Sequence, residues 1–252
     1  MPRYFARIAY VGTAYNGWQV QENTPRTIQQ VLNERISGLL DEKIEFTGCG
    51  RTDTGVHARE FYVHFDCSKE LDPHDADWTY KFNCMLPKDI SVYEVFKVRA
   101  DAHARYDALK RTYEYYITYN RDPFLTDRAY YFYRGLDLKG MKDACRLLPQ
   151  YSDFSCFSKS NTQVKTNICK IYEAKWEQQD HLLIFSITAD RFLRNMVRAI
   201  VGTLLDIGRL KMEVKDMAKI IEGGKRSDAG MSVPAEGLYL AKVEYDWAKM
   251  RE

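Results

Sequence analysis

Apolar and polar positions alternate over residues 3–11. Tyr4, Ala6, Ile8 and Tyr10 fall on one side, and Phe5, Ala9 and Val11 on the other, which predicts a strand. Turn-forming Gly12, Asn16, Gly17, Asn23 and Pro25 follow. Ile28, Val31, Leu32, Ile36, Leu39 and Leu40 then recur at helical spacing. Thr27 stands where a helix cap belongs, and Gln30 completes a capping-box pattern. Next come a short strand over 44–47 and a glycine-punctuated loop over 48–55. In the following strand Phe61, Val63 and Phe65 alternate with Tyr62 and His64. A helix over 78–85 and a strand over 92–98 complete this half. The second half repeats the grammar. Strands are predicted over 111–119 and 129–133, with a helix over 138–148 that stops at Pro149. A hairpin joins 168–177 to 182–189 through Gln178-Gln179-Asp180. A long helix over 191–207, a shorter one over 214–222 and a closing strand over 238–245 end the chain.

Each half therefore follows a β-α-β-β-α-β order with decorations, the split-βαβ pattern. The expected fold is α+β, with two similar ferredoxin- or RRM-like halves sharing a largely antiparallel sheet flanked by helices. The expected division is 1–105 and 106–252. The halves agree in grammar and not in residues, so no sequence repeat is claimed.

Composition narrows the classes. Of 252 residues, 45% are hydrophobic and the net charge is only +2, which excludes a disordered chain. No window approaches 18 uninterrupted apolar residues and the N-terminus has no apolar signal core, so a cytoplasmic enzyme without a membrane span is expected. The cysteines at 49, 67, 84, 145, 156 and 169 lack zinc-type spacing and are expected to be free, mostly buried thiols. The net charge favours no acidic partner, but clustering does. Residues 97–134 carry eight basic and five acidic side chains together with eight of the 18 tyrosines. Cations interleaved with aromatic rings suit unstacked RNA, whereas the plain alternative is a solvated strand edge. Arg191, Arg194 and Arg198, at i, i+3 and i+7 of the predicted helix, form a stripe fit for phosphate or carboxylate, or simply a surface stripe with snorkelling stems.

The densest run is Gly48-Cys49-Gly50-Arg51-Thr52-Asp53-Thr54-Gly55-Val56-His57-Ala58. It lacks the glycine pattern of a dinucleotide fold and the Gly-Lys-Ser/Thr of a phosphate loop. Asp53 and His57 lie four apart, with His64 seven further on. Satisfied polar histidines explain that spacing better than a metal, and a metal-dependent hydrolase is the weakest alternative. Cys49 reads as a buried thiol. A carboxylate held in a tight loop beside an arginine remains, against an Asp-Thr-Gly turn with no chemistry.

These residues carry a resemblance. Gly50-Arg51-Thr52-Asp53-x-Gly55-Val56-His57-Ala58 resembles the signature of the bacterial tRNA pseudouridine synthase A family. Further stretches agree in order. They are Tyr10-x-Gly12-Thr13-x-Tyr15-x-Gly17-Trp18-Gln19, Lys110-Arg111-Thr112-Tyr113-x-Tyr115, Asp153-Phe154, Phe192-x-x-Asn195-Met196-Val197-Arg198-x-Ile200-Val201-Gly202 and Glu236-Gly237-Leu238-Tyr239-Leu240. Val11 and the pair Glu60-Phe61 depart from the family pattern. The resemblance implies isomerisation of uridine in the anticodon stem-loop of tRNA, near positions 38–40, without metal or cofactor. It also implies a homodimer. It makes Asp53 the catalytic carboxylate, Arg198 its facing cation and Arg51 a nearby phosphate or loop contact. Tyr113 becomes the ring that stacks on the flipped uracil, and Leu238 an apolar wall. Arg191, Arg194, Lys110 and Arg111 become further RNA contacts. A non-catalytic RNA-binding or tRNA-chaperone module on the same fold is the alternative of another class.

Overall fold

The computed structural model describes residues 1–22, 24–72, 77–159 and 166–251. Asn23, one of the predicted turn residues, lies outside them. The chain is mixed α+β, with mostly antiparallel strands flanked by helices. It divides into two compact units, Met1–Leu109 with Tyr239–Glu252, and Lys110–Leu238.

In the first unit, β1 (Arg3–Tyr10) lies between β3 (His57–Asp66) and β4 (Ile90–Val98), antiparallel to both. The short β2 (Thr47–Gly48) also pairs with β3, and so does β9 (Leu238–Glu244), in parallel, with His57 opposite Tyr239. Helices α1 (Ile28–Leu40) and α2 (Trp78–Met85) flank these strands. The alternation foreseen in β1 and β3 gives way to burial on both faces: Tyr4, Phe5 and Ala6 are buried in succession, and so are Phe61, Tyr62, Val63, His64 and Phe65. Helix α1 buries Ile28, Leu32, Ile36 and Leu40, a row spaced by four that forms one face. The Thr27 hydroxyl accepts from Gln30 N at 3.2 Å, while the Gln30 side chain donates to Glu34 at 2.8 Å. The cap therefore forms without the reciprocal half of the box.

The two departures from the family pattern, Val11 and Glu60-Phe61, both lie in the first unit. Val11 N donates to Asp89 O at 2.9 Å. Glu60 Oε1 accepts from Val243 N of β9 at 2.9 Å, and the Phe61 ring lies 4.4 Å from that of Trp18. The Glu60–Val243 bond and the pairing of β9 with β3 place the closing strand from Tyr239 onward with the first unit, where the expected division had it in the second half. The second unit begins at Lys110, not at 106.

In the second unit the order is β5 (Lys110–Thr118), β8 (Leu182–Ala189), β7 (Ile171–Gln179), all antiparallel, with β6 (Tyr130–Tyr131) parallel to β5. Helices α3 (Leu138–Cys145), α4 (Met196–Gly208) and α5 (Val214–Gly223) accompany them. Helix α3 ends sooner than predicted, and Pro149 sits in a separate 3-10 turn, Leu148–Gln150. The hairpin closes through Asp180 and His181, with Asp180 at φ 50°.

The largest correction concerns α4, which starts at Met196, not at 191. Asn195 adopts φ 68°, a left-handed conformation that a helix interior cannot hold. Upstream, Asp190 Oδ1 accepts from Lys170 N at 2.8 Å and from Arg191 N at 2.7 Å, which fixes the chain in a non-helical path. Arg191 and Arg194 therefore precede the helix, and the three-arginine stripe does not exist. Among the described residues no helix is long and apolar enough to cross a membrane.

Candidate active site

In the first unit, the loop between β2 and β3 carries Arg51, which is exposed, and Asp53, which is half-buried. The turn after β1 fixes this loop at several points. Thr52 O accepts from Trp18 N at 3.2 Å, and Gly55 N donates to Tyr15 O at 3.3 Å. The hydroxyls of Tyr10 and Thr52 are 2.8 Å apart. The loop also closes on itself through Val56 N to Asp53 O at 3.1 Å. Two glycines permit this approach. A Cβ on Gly12 would lie 2.0 Å from Val56 O, and one on Gly17, at φ +83°, would lie 2.5 Å from Thr52 O. The Tyr15 hydroxyl donates to Asp89 at 2.6 Å, and burial together with Asp89 pushes its pKa up to about 12. It thus keeps its proton, and that bond, over the whole physiological range. Asp53 thereby sits on a backbone whose neighbours are fixed on both sides, a requirement for a reacting group.

His57 is buried, its Nδ1 accepts from Gly12 N at 3.0 Å, and its ring lies 4.6 Å from that of Tyr239. It is a satisfied structural histidine. Among the described residues no group of three His, Cys, Asp or Glu is placed to hold a metal. Cys49 is buried, as are all the other cysteines except Cys84. Burial pushes the thiols of Cys145 and Cys156 up to about 12 and that of Cys169 up to about 11, so these three are inert as nucleophiles near neutrality.

The second unit holds the other predicted residues. Tyr113, half-buried on β5, meets Phe192 edge-on with centroids 5.0 Å apart. Arg111 Nη1 donates to Asp190 O at 2.9 Å, and Lys110 Nζ lies 4.7 Å from the centre of the Tyr172 ring. Arg191 Nη1 donates to Thr166 O at 3.2 Å, and Arg194 is exposed. Leu238 is buried behind Gly237, where a Cβ would come within 2.7 Å of Tyr116 O.

Arg198 stands out by contrast. Every residue of α4 is buried except Arg198 and Asp206. Arg198 is in the first turn, where a cation meets the positive end of the helix dipole at a cost of about 0.3–1 kcal/mol. Helix stability therefore does not explain it. Its Nε donates to Val233 O at 2.7 Å, leaving the two Nη groups for another partner.

A family model described as tRNA pseudouridine synthase matches residues 6–107 and 145–246. The chain belongs to the tRNA pseudouridine synthase family. It is 49% identical over 247 residues to the tRNA pseudouridine synthase A of Porphyromonas gingivalis, covering 97% of this chain and 98% of that one. Identity to the protein of that name from Bacteroides fragilis is 51% over 245 residues, or 96% of each. To that of Acetivibrio thermocellus it is 40% over 240 residues, 94% of this chain and 97% of the other. Membership makes the chain a pseudouridine synthase enzyme and removes the non-catalytic binding module. The matched segments include Arg51, Asp53, Arg191, Arg194, Arg198 and Leu238, whereas Lys110, Arg111 and Tyr113 fall between them.

Sequence reasoning missed two features of this synthase. Gly12 and Gly17 belong to a motif it recognised, but their task, admitting the carbonyls of the Asp53 loop, needs coordinates. The segment 229–234, which engages Arg198, carried no signal beyond Gly230 and Pro234.

Proposed function

We propose that the chain converts uridine to pseudouridine in the anticodon stem-loop of tRNA, near positions 38–40, with Asp53 as the catalytic carboxylate. The isomerisation is redox-neutral. The bond from uracil N1 to the ribose C1′ breaks, the base turns, and a C5–C1′ bond forms. C5 gives up its proton and N1 gains one, so no cofactor is needed. Asp53 either attacks the sugar or stabilises and deprotonates an intermediate formed as uracil leaves. Tyr113 offers a face for the flipped base, and stacking of about 1–3 kcal/mol offsets much of the flipping cost. Its hydroxyl is suited to take the C5 proton. Arg198 and Arg51 balance the negative charge of carboxylate and phosphate, Leu238 excludes water, and Arg191, Arg194, Lys110 and Arg111 meet the backbone of the RNA. The working form is a cytoplasmic homodimer.

One observation carries the reading. Asp53 lies within the Gly50-Arg51-Thr52-Asp53 motif, on a loop that Gly12, Gly17, Tyr10 and Trp18 hold in place. The Asp53→Ala protein should bind tRNA normally and form no pseudouridine in it, measured by mapping pseudouridines in tRNA from cells carrying either form. Normal-rate modification by Asp53→Ala would remove Asp53 from its role, and modification only outside positions 38–40 would replace the target.

A further inference from the structure

A short segment, residues 229–234, lies across α4 and is fastened there more heavily than a surface connection requires. Two glycines let its backbone touch the helix. A Cβ on Gly202 would stand 1.8 Å from Met231 O, and one on Gly230 would stand 2.7 Å from Thr203 N. Gly230 N donates to Thr203 Oγ1 at 2.9 Å. Arg226 grips the segment, with Nη1 to Gly230 O at 3.0 Å and Nη2 to Ser232 Oγ at 3.0 Å. Asn195 holds it as well, with Nδ2 to the same Ser232 Oγ at 2.5 Å. The next residue, Val233, exchanges two bonds with Arg198, since Val233 N donates to Arg198 O at 3.2 Å and Arg198 Nε to Val233 O at 2.7 Å.

The left-handed Asn195, which delays the start of the helix, is thus explained. Its conformation turns the amide toward Ser232. The Ser232 hydroxyl oxygen takes two donors, from Arg226 and from Asn195, so the segment is fixed one residue before it holds Arg198. An arginine side chain has four rotatable bonds, and a fixed acceptor on Nε removes most of that freedom while the two Nη groups stay available.

We infer that Ser232, clamped by Arg226 and Asn195, is a positioning residue that sets the guanidinium of Arg198 for the isomerisation reaction. The inference rests on the proposed tRNA pseudouridine synthesis. Its effect falls on turnover more than on binding, because a misplacement of about 1 Å in a charge-stabilising group can cost 100-fold in rate.

Two side chains of equal shape test it. Ser232→Thr keeps the oxygen and Ser232→Val does not. Single-turnover pseudouridine formation on a tRNA transcript should be near normal for Ser232→Thr. For Ser232→Val it should be about ten-fold slower or worse, with tRNA KM changed by less than about three-fold. In an Arg198→Ala background, Ser232→Val should cause no further loss, because the group it positions is gone. Asn195→Gly, which keeps the left-handed backbone and removes the amide, should repeat the pattern if Ser232→Val fails to fold. Equal rates for Ser232→Thr and Ser232→Val overturn the positioning role, and so does an undiminished loss in the Arg198→Ala background. A wild-type chain that makes no pseudouridine in tRNA overturns the parent function, and this role with it.

Discussion

The side chains that decide behaviour here are those whose single hydrogen bond fixes a protonation state. His64 is one. It is buried on β3, and its Nδ1 accepts from Ala104 N at 3.1 Å, which only a neutral ring can do. Burial first, then the neighbouring His103 ring and Arg3, lower its pKa from 6.5 to about 4, while Asp66 and Asp107 oppose the shift. The His103 pKa is lowered as well, chiefly by burial, and its Nδ1 accepts from Arg105 N at 3.1 Å. The unfolded chain takes its proton on His64 near pH 6.5 and the folded chain only near pH 4, so the unfolded state binds more protons between them. Stability is therefore full above pH 6.5 and falls as the pH drops toward 4. Urea unfolding of wild type and of His64→Gln should show it. The wild-type stability should fall more steeply in that window, by up to about 1.4 kcal/mol per pH unit for this one proton. Parallel curves would show that the lowered pKa has no bearing on stability.

At the scale of elements, the first unit combines a regular scaffold with a loop set by close contact. Two glycines separate these roles. Gly38 lies exposed on α1, where an added Cβ meets nothing within 4 Å, so Gly38→Ala should raise stability by about 0.5–1 kcal/mol and leave activity unchanged. Gly17→Ala places a Cβ 2.5 Å from Thr52 O in a left-handed backbone, which moves the Asp53 loop. It should cost at least about 1 kcal/mol and slow pseudouridine formation at least ten-fold, as checked by thermal unfolding and single-turnover rates. The same contrast explains what the sequence could disclose. Periodicity located α1, which buries one regular face, and the apolar and aromatic runs marked β1, β3, β5 and β8, although consecutive buried residues cover both faces of these strands. It placed Asp53 in a glycine-rich loop, and the motifs named the family. It extended α4 across 191–195 because Leu193 and Met196 continue the apolar pattern, and no period reports that Asn195 turns left-handed to reach Ser232. It also gave the closing strand to the wrong unit, since pairing partners such as His57 and Tyr239 are 182 positions apart and leave no local trace.

For the molecule as a whole, charge is the telling quantity. With 37 basic and 35 acidic residues, long-range attraction to RNA is weak, so affinity must come from a few placed cations and from stacking. The candidates are Arg51, Lys110, Arg111, Arg191, Arg194 and Arg198, and three of these already spend a donor on backbone carbonyls: Arg111 on Asp190, Arg191 on Thr166 and Arg198 on Val233. Each phosphate neutralised on a duplex adds about 0.9 to the slope of log affinity against log salt, and about 0.7 on a single strand. Six cations on one chain therefore set a ceiling of about 5 per bound chain, reached only if each of them meets a phosphate. Titrating tRNA binding between 50 and 300 mM salt measures it. A slope well above about 5 per chain would mean that further lysines and arginines carry the contact beyond the six named here. A shallow slope with Tyr113→Ala weakening affinity about ten-fold would assign the binding to stacking and shape.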